Sequence, residues 1–349
     1  MDDFEKVYDI ASLYQAHLKT RRNKRYKTEV ILFELDMANR LCALSDSLRV
    51  GSYLPCTYYH FKVFEPKARE IAALRYPDRV VQRCLCDHVL IPCLESRLIY
   101  DNAACRVGKG TQFSRLRLSG FMREHYRKHG SEGYFLKCDI RKYFSNIDHA
   151  ILKRKLSHLP LSEKLMDFLY GIIDSFEESS GLGLPLGNQS SQWFALYYLD
   201  EIDRFIKEIL RIKHYVRYMD DFIILHHDKR FLIDILERLH YLLREHVHLE
   251  LNNKTQIIPL RGGINYLGFH FYLTDTGKVI RKLTQASKYR FTTHMRALEK
   301  AIVHGEVEYE RVRQTLACHY GHLACGHTNK LAMRWVPAFD RLEASDSVR

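Results

Sequence analysis

Tyr215-Val216-Arg217-Tyr218-Met219-Asp220-Asp221-Phe222-Ile223-Ile224-Leu225 sets two runs of aromatic and β-branched residues around one adjacent pair of carboxylates. Such runs favour strands, and the short break between them predicts two strands joined by a tight turn. Asp tolerates turn conformations, so the pair is expected at the hairpin tip. An isolated Asp-Asp is ordinarily a solvated turn. Apolar strands on both sides instead make a buried hairpin that pushes two carboxylates into a site, where hard divalent cations are the natural partners.

A metal site of that kind needs a further carboxylate from another strand. Tyr134-Phe135-Leu136-Lys137-Cys138-Asp139 supplies one, a strand-like run ending in an acid and followed by Ile140-Arg141-Lys142-Tyr143-Phe144. Two Mg²⁺ ions about 3.5–4 Å apart, held by carboxylates from different strands, are the recurrent device for in-line phosphoryl transfer. Asp139, Asp220 and Asp221 are therefore the candidate catalytic and metal-ligating residues.

In this order and spacing the two elements resemble those of the reverse transcriptases, with Tyr218-Met219-Asp220-Asp221 in the catalytic hairpin and Asp139 in the first palm strand. The resemblance runs from about residue 27 to about residue 330, and is greatest to the reverse transcriptases of diversity-generating retroelements. It implies an α+β right-hand polymerase: fingers at 1–132 with some palm helices, palm at 133–273 as an antiparallel sheet backed by helices, thumb at 274–349. It further implies extension of a primer 3′-OH by deoxynucleoside triphosphates on an RNA template. Asp139 and Asp220 would bind both Mg²⁺ ions, the Ile140 carbonyl would help, and Asp221 would support them.

The balance of 54 basic against 42 acidic residues gives a net charge of +12, which suits a polyanionic partner such as an RNA/DNA primer-template duplex. Arg21-Arg22-Asn23-Lys24-Arg25-Tyr26-Lys27, within a stretch of 1–60 that reads as helical, is either a solvated face or a phosphate contact. The acidic start Met1-Asp2-Asp3-Phe4-Glu5 is unlike a signal peptide, and no apolar run reaches a membrane span; a cytoplasmic protein is expected. The nine cysteines have no disulfide-scaffold spacing, and most are expected as buried reduced thiols. Cys318, His319, His322, Cys325 and His327 cluster, but their spacing fits no standard zinc finger.

Phe61-Lys62-Val63-Phe64-Glu65-Pro66-Lys67-Ala68-Arg69-Glu70-Ile71 reads as strand, turn and strand carrying basic side chains. In reverse transcriptases the matching hairpin holds the incoming triphosphate, which points to Arg69 first, then Lys62, Lys67 and Arg75; surface charge fits Lys67 as well. Asp78 and Arg79 are expected to form a structural ion pair. Asn102 to Thr111 resembles the family's Gly-containing turn before a helix, either a template-phosphate contact or a plain helix start.

Phe144, near a strand end, reads by itself as a core residue; by the resemblance it matches the family's steric gate, an aromatic that collides with a ribose 2′-OH. RNA-dependent RNA polymerases place a small or polar residue there and a Gly before the Asp pair, so Phe144 and Met219 favour deoxynucleotides. The loop from Gly181 to Gln192 ends in Ser191-Gln192, where most reverse transcriptases have Ser-Pro. Enzymes of diversity-generating retroelements characteristically have Ser-Gln. Beyond it, Phe194, Ala195, Tyr198, Ile202, Phe205 and Ile209 form a helical stripe, and Phe231 to Leu243 another. Lys254 is either a proton donor to departing pyrophosphate, as in related polymerases, or a solvated strand residue. Ile264-Asn265-Tyr266-Leu267-Gly268-Phe269 resembles the primer grip, and the stretch 276–349 reads as a helical thumb with a loose end at 343–349. His319-Tyr320-Gly321-His322-Leu323 resembles a structural thumb motif, and no ribonuclease H, endonuclease or maturase-like segment is expected beyond it.

The resemblance also implies a small basic accessory protein as partner. Two rival readings remain: another prokaryotic reverse transcriptase, notably a phage-defence type, and a catalytically silent RNA-binding module. Ser191-Gln192 argues against the first and the three intact acids against the second. A template repeat and a variable repeat in neighbouring genes, and a primer-extension assay, separate them.

Overall fold

Asp9 opens the first long helix by accepting the Ser12 N–H at 2.8 Å, which satisfies one of the orphan donors of a helix start. The structure is a computed structural model and describes residues 2–64, 68–307 and 309–333. Helices α1 (Glu5–Tyr8), α2 (Ile10–Thr20), α3 (Thr28–Leu35) and α4 (Met37–Arg49) come first. Helix does not continue to residue 60 as the sequence suggested. Gly51 takes φ +75° just past α4, and Pro55 follows, so residues 50–58 run without helix.

Strands β1 (Tyr59–Val63) and β2 (Arg69–Ala73) then pair antiparallel, and Lys67 of the expected turn lies outside the described residues. Helix α5 (Tyr76–Leu85), with Pro77 in its first turn, leads through a π turn at Cys86–Leu90 into α6 (Ile91–Glu95) and then α7 (Thr111–His129). Next come β3 (Tyr134–Asp139), α8 (His149–Leu156), α9 (Glu163–Asp174), α10 (Gln189–Tyr198) and α11 (Asp200–Arg204). A second π turn, Phe205–Ile209, precedes β4 (Tyr215–Tyr218), β5 (Asp221–His226) and α12 (Lys229–Val247). The chain continues as β6 (Gln256–Pro259), β7 (Ile264–Tyr266), β8 (Phe269–Leu273), β9 (Val279–Leu283), α13 (Gln285–Val303) and α14 (Tyr309–Ala324).

The expected α+β organisation is present. A four-stranded sheet has the order β4-β5-β3-β6, and a separate three-stranded antiparallel sheet runs β7-β8-β9. Strand β5 is an inner strand and buries Phe222, Ile223, Ile224 and Leu225 on both faces, which is why its sequence is unbroken apolar. In α12, Leu232, Ile235, Leu239 and Leu243 recur at helical spacing and are all buried.

By its contacts the chain forms two compact units. The first takes in residues 2–110, 138–222 and 234–255; Leu13, Val30, Phe33, Leu48, Tyr76 and Val81 are among the residues of its N-terminal core. The second takes in 111–137, 223–233 and the described residues from 256 on, with Phe291, Met295, Leu298, Val312 and Leu323 in a core of its own.

Several expectations need correction. The stripe through Ile209 fails because the π turn adds a residue to the helical repeat: Ile206 is buried and Ile209 is 71% exposed. Residues 279–283, expected as helix, are the strand β9. Asp78 and Arg79 do not pair with each other, since adjacent helical residues do not face one another. Asp78 accepts from the Tyr53 hydroxyl at 2.7 Å and the Cys56 N–H, while Arg79 donates to the Leu74 carbonyl at 2.7 Å and faces Glu29. All nine cysteines are free, but only Cys84, Cys86 and Cys138 are buried. The segment 343–349 lies outside the described residues. Among those described, no helix is long and apolar enough to cross a membrane.

Candidate active site

The β4–β5 hairpin turns on Met219 and Asp220 alone. Met219 sits in the left-handed region at φ +57°, and Asp221 is already the first residue of β5 rather than part of the tip. The two carboxylates therefore belong to different elements, Asp220 to the turn and Asp221 to the strand. The Ile140 N–H donates to the Asp220 carbonyl at 3.3 Å, which sets the end of β3 against the turn. The Asp139 carbonyl accepts the Asn252 N–H at 2.6 Å, tying the segment after α12 to the same point.

Asp220 is half-buried, and that burial pushes its carboxyl above the usual range; the Asp139 charge pushes it further. The guanidinium charges of Arg69 and Arg217 pull it back. Asp220 thus sits beside a like charge in a partly dry site. A divalent cation between hard oxygen donors relieves that repulsion, so the donor set fits such an ion. Among the described residues no group of three or more His, Cys, Asp or Glu is arranged as a metal cage, so the ready pair is Asp139 and Asp220.

A residue that the sequence reading passed over anchors the hairpin from below. Arg217, on β4, is fully buried and forms a two-pronged ion pair with Asp203 of α11: Nε to Oδ1 at 2.8 Å and Nη2 to Oδ2 at 2.6 Å. Tyr215 donates its hydroxyl to the same Asp203 Oδ1 at 2.6 Å. The segment before α7 lies alongside β4, with the Ala103 N–H donating to the Arg217 carbonyl and the Arg217 N–H to the Asp101 carbonyl.

A family model described as reverse transcriptase (RNA-dependent DNA polymerase) matches residues 65–271, a span that takes in Asp139, Arg217 and the hairpin turn. The chain belongs to the reverse transcriptases. Enzymes of this family generally use divalent metal ions. No curated protein sequence matches the chain. Among solved structures, telomerase from Candida albicans in complex with a TWJ fragment of telomeric RNA superposes with a TM-score of 0.51 at 12% identity. That match covers 71% of this chain and 50% of the telomerase chain. Apo telomerase from Candida tropicalis gives 0.47 at 11% identity, over 67% and 49%. At such identity the Candida albicans match shows the fold alone, that of a telomerase-like polymerase. This reverse transcriptase spans about half the length of those telomerase chains.

The remaining sequence candidates of this reverse transcriptase fall into distinct places. On the β1–β2 ribbon, Arg69 pairs across from Val63 and Lys62 across from Glu70, so the two cations emerge on opposite faces. Arg69 is the one whose charge reaches Asp220. Arg75 lies just before α5, where its charge acts on Cys56 instead. Gly187 explains how the loop before α10 comes so near this ribbon: at φ +147°, a Cβ there would stand 2.7 Å from the Ala72 carbonyl oxygen.

Phe144 is half-buried in a 3₁₀ turn, and its carbonyl accepts the Leu184 N–H at 2.9 Å. The core aromatic here is its neighbour Tyr143, whose hydroxyl donates to the Ala195 carbonyl. Gln192 is exposed in the first turns of α10 and accepts a hydrogen bond from the Cys105 thiol at 3.1 Å through Oε1. Lys254 occupies an exposed turn rather than a strand, its N–H bonded to Asn252 Oδ1, two residues from the Asn252–Asp139 tie. The expected Gly-containing turn forms with Gly108 at φ +74° and Gly110 at +94°, and α7 starts at Thr111. The primer-grip stretch is a hairpin, β7 and β8 joined through Leu267 and Gly268, both at positive φ.

The Cys/His cluster of α14 has other partners. His319 bonds His294 at 2.7 Å, His322 packs on Phe269, the Cys325 thiol donates to the Gly321 carbonyl, and His327 accepts the Arg281 N–H. Nothing in that geometry gathers these side chains on one ion.

Proposed function

We propose that this reverse transcriptase extends a primer 3′-OH with deoxynucleoside triphosphates on an RNA template, and that its task is the error-prone cDNA synthesis of a diversity-generating retroelement. The observation that supports the chemistry is the Ile140–Asp220 backbone bond, which sets the residue after Asp139 against the turn that carries the half-buried Asp220 carboxylate. Asp139 and Asp220 would hold two Mg²⁺ ions, with the Ile140 carbonyl helping and Asp221 in support. When bound, such ions lower the pKa of the primer hydroxyl and neutralise charge on the leaving pyrophosphate.

The chain's own residues supply the rest. Arg69 neutralises the triphosphate from the ribbon, with Lys62, Lys67 and Arg75 in outer roles. Phe144 excludes a ribose 2′-OH from its exposed side. Lys254, held near Asp139 by the Asn252 turn, donates a proton to departing pyrophosphate. Residues 1–132 act as fingers, 133–273 as palm and 274–349 as thumb, with a small basic accessory protein as partner.

The subclass rests on Ser191-Gln192, where the amide that replaces the usual proline is exposed and engaged by Cys105. Sequencing of cDNA made by the purified enzyme from a defined RNA, with substitutions counted by template base, tests it. An excess of errors opposite adenine is expected; errors as rare there as opposite the other bases would remove the subclass and leave the polymerase.

A further inference from the structure

Arg217 has the bulkiest of the fully buried side chains among the described residues. Burying a guanidinium costs more than its ion pair returns in many proteins, and an apolar substitute of the same volume often does as well. Stability alone is therefore a poor account of it. Its contacts suggest a better one. Nε and Nη2 grip Asp203, Nη2 also donates to the Leu196 carbonyl at 2.9 Å, and Nη1 donates to the Met219 carbonyl at 3.0 Å. Leu196 lies in the last turn of α10, where carbonyls lack an intrahelical donor. One side chain therefore joins the end of α10, the α11 carboxylate and the hairpin turn.

The turn needs such a tie. Met219 is held at φ +57°, a conformation that costs a non-glycine residue on the order of 1 kcal/mol. The next residue is Asp220. Relaxation of Met219 towards negative φ would swing the Asp220 carboxylate away from Asp139. We propose that the Arg217–Asp203 pair is a positioning device: its Nη1 arm holds Met219 in the left-handed turn and so fixes Asp220 for a divalent cation. This rests on the reading above that Asp220 is a metal ligand. Lysine cannot replace arginine in this role, because it has no planar fork to reach Asp203 and Met219 together. Glycine at 219 would make the tie dispensable, because it adopts positive φ without strain.

The test titrates Mn²⁺ by electron paramagnetic resonance into the full chain bound to an RNA template and a dideoxy-terminated primer, where no turnover occurs. Arg217→Lys is expected to weaken Mn²⁺ binding about tenfold, as loss of one charge-assisted hydrogen bond would. Met219→Gly added to Arg217→Lys is expected to recover at least half of that loss on a logarithmic scale. Unchanged Mn²⁺ affinity in Arg217→Lys overturns the proposal, and so does a loss that Met219→Gly leaves untouched. If Arg217→Lys fails to fold, Tyr215→Phe takes its place, since it removes one donor from Asp203 and keeps the ring; about a twofold weakening is expected, and none would overturn the proposal. Asp220→Asn separates the two readings. If it leaves Mn²⁺ affinity intact, the metal reading itself fails. If it abolishes tight binding while Arg217→Lys changes nothing, only the positioning role fails.

Discussion

The backbone N–H of Ile140 donates to the carbonyl of Asp220 at 3.3 Å, so the residue after one candidate carboxylate is bonded to the residue that bears the other. This tie is main chain. It does not involve the Asp220 side chain, which makes Asp220→Asn a clean probe of charge. Without metal the variant is expected to melt no lower than wild type at neutral pH, because burial and Asp139 both disfavour the charge it removes. Millimolar Mg²⁺ should raise the wild-type melting midpoint through preferential binding to the folded state and leave the variant unmoved. Equal Mg²⁺ stabilisation of the two proteins in scanning fluorimetry would place the metal elsewhere.

Phe144 and Tyr143 invite a paired substitution. Phe144 is half-buried and Tyr143 is 3% exposed with its hydroxyl bonded to the Ala195 carbonyl. Phe144→Ala should lower the ratio of dNTP to rNTP incorporation by at least about tenfold while costing little stability. Tyr143→Ala should instead destabilise the fold by about 3–5 kcal/mol, as loss of a large buried aromatic does. An unchanged sugar ratio in Phe144→Ala would leave Phe144 as a packing residue.

Gln192 stands at the fourth residue of α10 counting from Gln189, the first position whose N–H has an intrahelical acceptor. Proline there removes that donor, whereas alanine keeps the helix and loses only the Cys105 contact. Both Gln192→Pro and Gln192→Ala are expected to lower the excess of errors opposite template adenine; a tenfold change in error corresponds to about 1.4 kcal/mol of discrimination. The count comes from sequencing cDNA made on one RNA by the three proteins. A biased wild type with both variants unchanged would clear Gln192 and leave the subclass standing.

Acid should loosen the fold. His17, His125, His226, His319, His322 and His327 are all held below the ordinary imidazole value of 6.5, first by burial. Unfolded, they take up protons near 6.5; folded, only at lower pH. The unfolded chain then binds more protons, so stability present above 6.5 is lost as pH falls below it. The melting midpoint is expected to drop between about pH 7 and pH 5.5. His226→Phe, whose new ring can still pack on Phe231, should make that drop shallower. A midpoint that holds steady or rises on acidification would contradict the assignment.

Much of the candidate site was legible because the relevant chemistry is local. Carboxylates at strand ends, flanked by apolar runs, announce themselves without knowledge of what packs on them. Arg217 was visible too, as an ionisable residue inside an otherwise apolar strand, which requires a buried partner. That partner, Asp203, could not be chosen from sequence, because the break at Leu199 and the π turn after Arg204 reset the helical register around it. Lys62 and Arg69 show the same limit. Parity along each strand was readable, but the pairing of Lys62 with Glu70 and Val63 with Arg69, which puts the cations on opposite faces, exists only once the ribbon forms. Strand β9 was missed for a different reason: Val279-Ile280-Arg281-Lys282-Leu283 carries basic residues that suited a thumb helix, and its partner strand β8 lies in a stretch assigned to the palm.

Primer extension by purified wild type and Asp220→Asn on one RNA template with dNTPs and Mg²⁺ tests the central assignment most directly. Wild type should extend the primer, and the variant should fold, bind the duplex with unchanged affinity and lose at least about a hundredfold in rate, since loss of metal binding costs several kcal/mol of barrier. Extension by a folded Asp220→Asn at more than about one-hundredth of the wild-type rate would contradict the assignment of Asp220 to the metal site.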